Sequence, residues 1–119
     1  MSRTESLGQF EQLVLSAVLT LGERAYGRAI HKKVTEYAGG KEINLGSVYV
    51  TLDRLQDKGY VTSWFSDPTP ERGGRSKRYF RLEAIGERSL QEAMGISKRM
   101  CEEVGDSWRI GKWKPGRAK

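Results

Sequence analysis

Covalent catalysis needs a nucleophile and a base held together, and this chain supplies few parts for it. His31 and Cys101 are its one histidine and one cysteine, and most of the chain lies between them. His31 sits among lysines with no carboxylate placed by sequence to orient it, so nucleophilic catalysis lacks its partners and no enzyme is expected. A metal site fares no better, and no cofactor is expected. The run GGRSK at residues 73–77 lacks the G-x-x-x-x-G-K-[ST] spacing of a phosphate loop and falls between two β-rich segments. The groups that remain do non-covalent chemistry. Ser47, Val50, Thr51, Arg54 and Lys58 offer hydroxyls, two cations and an aliphatic surface at spacings that share one side of a helix, with Tyr49 between that side and the apolar one. Hydroxyls accept or donate to base edges, arginine pairs with guanine or phosphate, and valine touches a thymine methyl. Further on, Arg72, Arg75, Lys77, Arg78 and Arg81 carry five positive charges with no acid between them, a cluster suited to phosphates.

These residues need elements to hold them. Leu45, Val48, Leu52 and Leu55 recur at helical spacing, so the stretch from Asn44 to Tyr60 is predicted as a short amphipathic helix, capped by Asn44 or Ser47 and stopped at Gly59. Segments 60–65 and 77–82 are rich in β-branched and aromatic residues, and the Pro, Gly and Asp between them predict a hairpin with a long basic tip. Before the capped helix, Phe10, Leu13, Val14, Ala17, Val18 and Leu21 predict a largely buried helix that ends at Gly22. A second helix over residues 25–37 buries Tyr26, Ile30, Val34 and Tyr37, and its other side carries Arg28, His31, Lys32 and Lys33. Tyr26, Lys32 and Lys33 join the hairpin cations as candidate backbone contacts. Ile43 is expected to add a short edge strand, making three. After the hairpin, residues 83–108 read as a long helix with Leu90, Met94, Cys101, Val104 and Trp108 along one stripe. A small domain has little spare core to cover such a stripe, so it is expected to pack against a second copy of the chain. Cys101 reads as packing on that stripe, with redox sensing the less favoured role.

Length bounds the organisation. A chain of 119 residues fits one small domain with an appendage. The expected division is a loose arm over 1–7, a DNA-binding domain over 8–82, a dimerisation helix over 83–110 and a basic tail over 111–119. A net charge of +6 and a pI near 9.6 favour an anionic partner. One cysteine excludes an internal disulfide, and the N-terminus carries no signal-peptide pattern, so the cytoplasm is expected. The longest apolar run, residues 13–21, is too short to span a membrane.

The pieces YGRAI at residues 26–30, LGSVYVTLDRLQDKGYV at 45–61 and KRYFRLEAIGERSL at 77–90 resemble the PadR family of bacterial transcriptional regulators, in that family's order and spacing. The resemblance runs from about Gln9 to Leu90. It departs at Val50, where many relatives carry proline or a basic residue, and at Glu83-Ala84, where a Thr-Glu pair is common. It implies an α+β, mainly helical fold: a winged helix-turn-helix followed by a long C-terminal dimerisation helix, in the short form of the family. It also implies repression, by a homodimer that occludes a palindromic DNA site. The competing expectations are a non-specific nucleic-acid-binding protein with the same fold, and an effector-responsive variant with a small molecule at the dimer seam near Trp108. The departure at Val50 touches the reading face, so the operator sequence does not transfer from relatives.

Overall fold

The computed structural model describes residues 7–67 and 76–116. Most of the expected arm, the expected wing contacts Arg72 and Arg75, and the end of the basic tail lie outside them. Leu7, expected in the loose arm, is buried in the core.

Helix α1, Gln9–Leu21, begins where the Glu11 carboxylate accepts the Gly8 N–H at 3.0 Å, meeting one of the donors that a helix start leaves unpaired. Its buried residues Val14, Leu15, Ala17 and Val18 form the centre of the core. One turn of 3₁₀ helix, Gly22–Arg24, leads to α2, Gly27–Tyr37, which adds Ile30 and Val34. Helix α3, Leu45–Asp57, adds Val48, Leu52 and Leu55. Its cap is Asn44, whose side-chain oxygen accepts the Ser47 N–H at 3.1 Å, and its end is turned by Gly59 at φ +80°.

The hairpin pairs β1, Val61–Phe65, with β2, Arg78–Leu82, from the rung Val61↔Leu82 next to the core out to Phe65↔Arg78. Val61 and Phe80 are fully buried, and burial of such side chains contributes about 1.5–3 kcal/mol each. The expected third strand at Ile43 does not form. Ile43 directly precedes the α3 cap, and His31 Nε2 donates to its carbonyl at 2.6 Å. The free edge of β2 is met instead by residues 25 and 26: the Phe80 N–H donates to the Ala25 carbonyl at 2.8 Å, and Tyr26 bridges to Tyr79.

Helix α4, Ala84–Arg109, leaves the hairpin where the Glu83 N–H donates to the Tyr60 carbonyl at 2.9 Å. Gly86 sits so close to Tyr60 that a Cβ there would collide with its carbonyl. Along α4 only Gly86, Ser89 and Leu90 are buried. Twenty-six residues make a helix about 39 Å long, so most of it projects beyond the body, in a molecule measuring 62 × 39 × 25 Å. Residues 110–116 follow as exposed, non-helical chain. Among the described residues no helix is long and apolar enough to cross a membrane.

Candidate nucleic-acid interface

Three residues of α3 face outward together. Ser47 and Arg54 are exposed, Val50 is 55% exposed, and all lie away from Val48, Leu52 and Leu55. Tyr49 is half-buried, with its ring over the start of α2. Gly27 allows this approach, since a Cβ there would run into the Tyr49 hydroxyl.

Thr51 corrects the sequence expectation. It is 6% exposed and faces the core. At about 100° per residue it lies only ~60° around the helix from Val48, so the helical angle, not the hydroxyl, decides its side. Lys58, also expected on the outward side, donates to Glu11 Oε2 at 3.1 Å. Burial alone would raise the Glu11 carboxyl. The Gly8 N–H, the Lys58 hydrogen bond and the charges of Lys58 and Arg54 outweigh it and hold the pKa below its ordinary 4.5.

On α2, Arg28 and Lys32 are exposed, whereas Lys33 pairs with Glu36 at 3.3 Å. His31, expected on the cationic side, turns to Ile43. A carbonyl only accepts, so Nε2 carries the proton of that bond, which pins the turn between α2 and α3.

At the hairpin, Lys77 Nζ stands 3.9 Å from the centroid of the Tyr26 ring, which meets Tyr79 edge-on at 5.6 Å. A cleft of about 520 Å³, lined by Tyr26, Gly27, Arg28, Tyr49, Phe65, Ser76, Lys77 and Arg78, opens between the start of α2 and the hairpin. Its aromatic walls and cationic rim suit a phosphodiester backbone. Arg78 lines the cleft too, but its guanidinium, expected to serve as a wing contact, is engaged by side chains of α3 and β1. Its Nη1 donates to Asp53 Oδ1 at 3.2 Å, its Nη2 to Gln56 Oε1 at 3.3 Å and its Nε to Ser63 Oγ at 3.1 Å. Sequence reasoning missed Asp53, Gln56 and Ser63 as partners. A signal was present: side chains alternate along a strand, so Arg78 shares the side of Phe80.

Of the expected dimer contacts, Leu90 is the exception. It is 5% exposed and packs into the chain's own core beneath α1. Met94, Cys101, Val104 and Trp108 are exposed. Where Leu90 and Met94 meet α1 and Tyr37, an apolar groove of about 440 Å³ runs over Leu13 and Leu19.

Two helices joined by the turn over residues 38–44, the second capped and outward-facing, with a hairpin behind them, constitute a winged helix-turn-helix, a DNA-binding fold. Residues 14–92 match the model of the transcriptional regulator PadR-like family, and the chain belongs to that family. Among solved structures it is similar to a PadR family transcription regulator from Clostridium difficile R20291, at 24% identity and a TM-score of 0.65 over 85% of this chain and 98% of that one. A PadR family regulator from Eggerthella lenta DSM 2243 is 27% identical, with a TM-score of 0.63 over 80% of each chain. The ORC1 protein of Aeropyrum pernix, solved in complex with DNA, shares the fold at 22% identity and a TM-score of 0.59, over 77% of this chain and 26% of that one. A search of curated proteins finds no significant sequence match.

Proposed function

We propose that this PadR-family regulator is a sequence-specific, homodimeric repressor that acts in the cytoplasm by occupying a palindromic site. The observation that carries this reading is the outward face of α3, where Ser47, Val50 and Arg54 stand exposed while Val48, Thr51, Leu52 and Leu55 anchor the helix in the core. In this account α3 enters the major groove with its capped end towards the bases. Arg28, Lys32 and Lys77, with Tyr26 and Tyr49, take the flanking phosphates. The exposed apolar residues of α4 pair two copies, so that two α3 helices reach successive grooves about 34 Å apart. Repression then follows from occlusion of the promoter and needs no catalytic group.

A binding titration against a site selected from random DNA, and against its single-base variants, tests the reading. Val50→Ala should relax preference at one base pair per half-site by about 1 kcal/mol and leave affinity for random DNA nearly unchanged. Thr51→Ala serves as the internal control, because a buried threonine affects folding stability and not base preference. Equal loss of specific and random binding in Val50→Ala and Arg54→Ala would show α3 gripping backbone only, and the non-specific alternative would take over.

A further inference from the structure

We propose that Arg78 is a positioning residue that locks the hairpin to the reading helix, so that the element that chooses bases and the element that grips phosphates dock as one unit. This rests on the DNA-binding reading and goes beyond it.

The guanidinium sends its three nitrogens to three side chains on two elements: Asp53 and Gln56, one turn apart on α3, and Ser63 on β1. Ser63 Oγ in turn donates to Gln56 Oε1, so the bonds close on themselves. The guanidinium carbon lies 4.9 Å from the centroid of the buried Phe80 ring, which holds its plane. Position in the ladder gives the bonds their leverage. Val61↔Leu82 sits at the core, whereas Arg78 pairs with Phe65 at the far end of the described strands. Phe65 and Trp64 at that end are exposed, so apolar burial does little to fix it. The next residue is Lys77, over the Tyr26 ring. Arg78 therefore sets where the cations beyond it stand relative to Ser47, Val50 and Arg54. An exposed ion pair such as Arg78–Asp53 adds little stability by itself, since Asp53 is open to solvent. The significance of the fork is geometric: it fixes an angle, which a lysine's single ammonium on a flexible stem does not.

Two substitutions that leave the net charge unchanged separate positioning from phosphate binding: Arg78→Lys, which retains the cation, and Gln56→Met, which removes its acceptor. In the full-length protein without DNA, hydrogen exchange at residues 63–66 and 78–80 should accelerate in both, with α1 unchanged. On the selected site, both should lower affinity about tenfold and flatten the log–log salt dependence by about one unit for each phosphate that the hairpin no longer reaches, with base preference retained. Adding Lys77→Ala to Arg78→Lys should then cost less than it does in the wild-type chain, because the hairpin is already unseated. Wild-type exchange, affinity and slope in Arg78→Lys would overturn the proposal and return Arg78 to an ordinary cation of the wing. Altered exchange in a protein whose wild-type form shows no base preference would instead uphold the lock and overturn sequence-specific reading.

Discussion

The winged-helix body and the outer length of α4 are built from similar apolar residues and treat them in opposite ways. In the body, Val14, Leu15, Ile30, Leu52 and Leu55 have no accessible surface. Beyond Leu90 the same stripe continues through Met94, Val104 and Trp108, yet Trp108 is 66% exposed. The change comes where α4 outruns the body. One stretch of a single helix is thus finished by intrachain packing, and the next presents apolar surface of the sort that marks an interface. A residue's place on a helical stripe predicts that it will be covered, but not by which chain.

The largest expected effect comes from placing the same charge on either side of that change. Leu90→Asp should destabilise the body by at least ~3 kcal/mol, through removal of a core side chain and introduction of an unpaired buried carboxylate, and urea unfolding measures it. Val104→Asp should leave the body's secondary structure intact and act on self-association. Light scattering at tens of micromolar, about the range expected for a stable interface, should find a wild-type dimer and a Val104→Asp monomer. If Val104→Asp unfolded the body as Leu90→Asp does, the two regions would not be distinct.

A smaller effect tests the joint between them. Gly86→Ala should cost about 1–3 kcal/mol by overpacking, since its Cβ would meet the Tyr60 carbonyl, part of the backbone and unable to swing aside. Gly95, on the projecting part of α4, has only the flexible end of Arg99 near it. Gly95→Ala should therefore stabilise the helix slightly, and paired thermal melts would show the opposite signs.

The smallest effect concerns the long-range pair that closes the body. The Glu11 pKa is lowered in the fold, so the ionised carboxylate adds stability above its unfolded value. That contribution disappears as pH falls through the lower folded value, on the acid side of 4.5. Glu11→Gln should lower Tm by a few degrees at neutral pH, corresponding to about 1 kcal/mol, and the gap from wild type should close on acidification below pH 4.5. A gap that did not narrow at all on acidification would place the stabilisation in shape, not charge.

The helices were legible in the sequence because burial repeats at their period, and the hairpin because its turn and strand residues are distinct. What escaped reading depended on partners far away in the chain. Lys58 looks solvent-facing until Glu11 is brought to it, and Arg78 looks like one more wing cation until α3 supplies Asp53 and Gln56. The edge of β2 is closed by the backbone at Ala25 and Tyr26, which no side-chain pattern announces. Thr51 was a different error, of chemistry taken ahead of angle. On the candidate interface, Ser47, Val50 and Arg54 were visible as an outward group because polarity and angle agree there.

The contact between Gly27 and Tyr49 also constrains how this sequence can change over time. A side chain at position 27 would take the space that the end of the Tyr49 ring fills, so it requires Tyr49 to swing away or to become smaller. The two positions are epistatic. A route to a new binding preference that makes Tyr49 smaller first therefore frees residue 27 to change without displacing a neighbour.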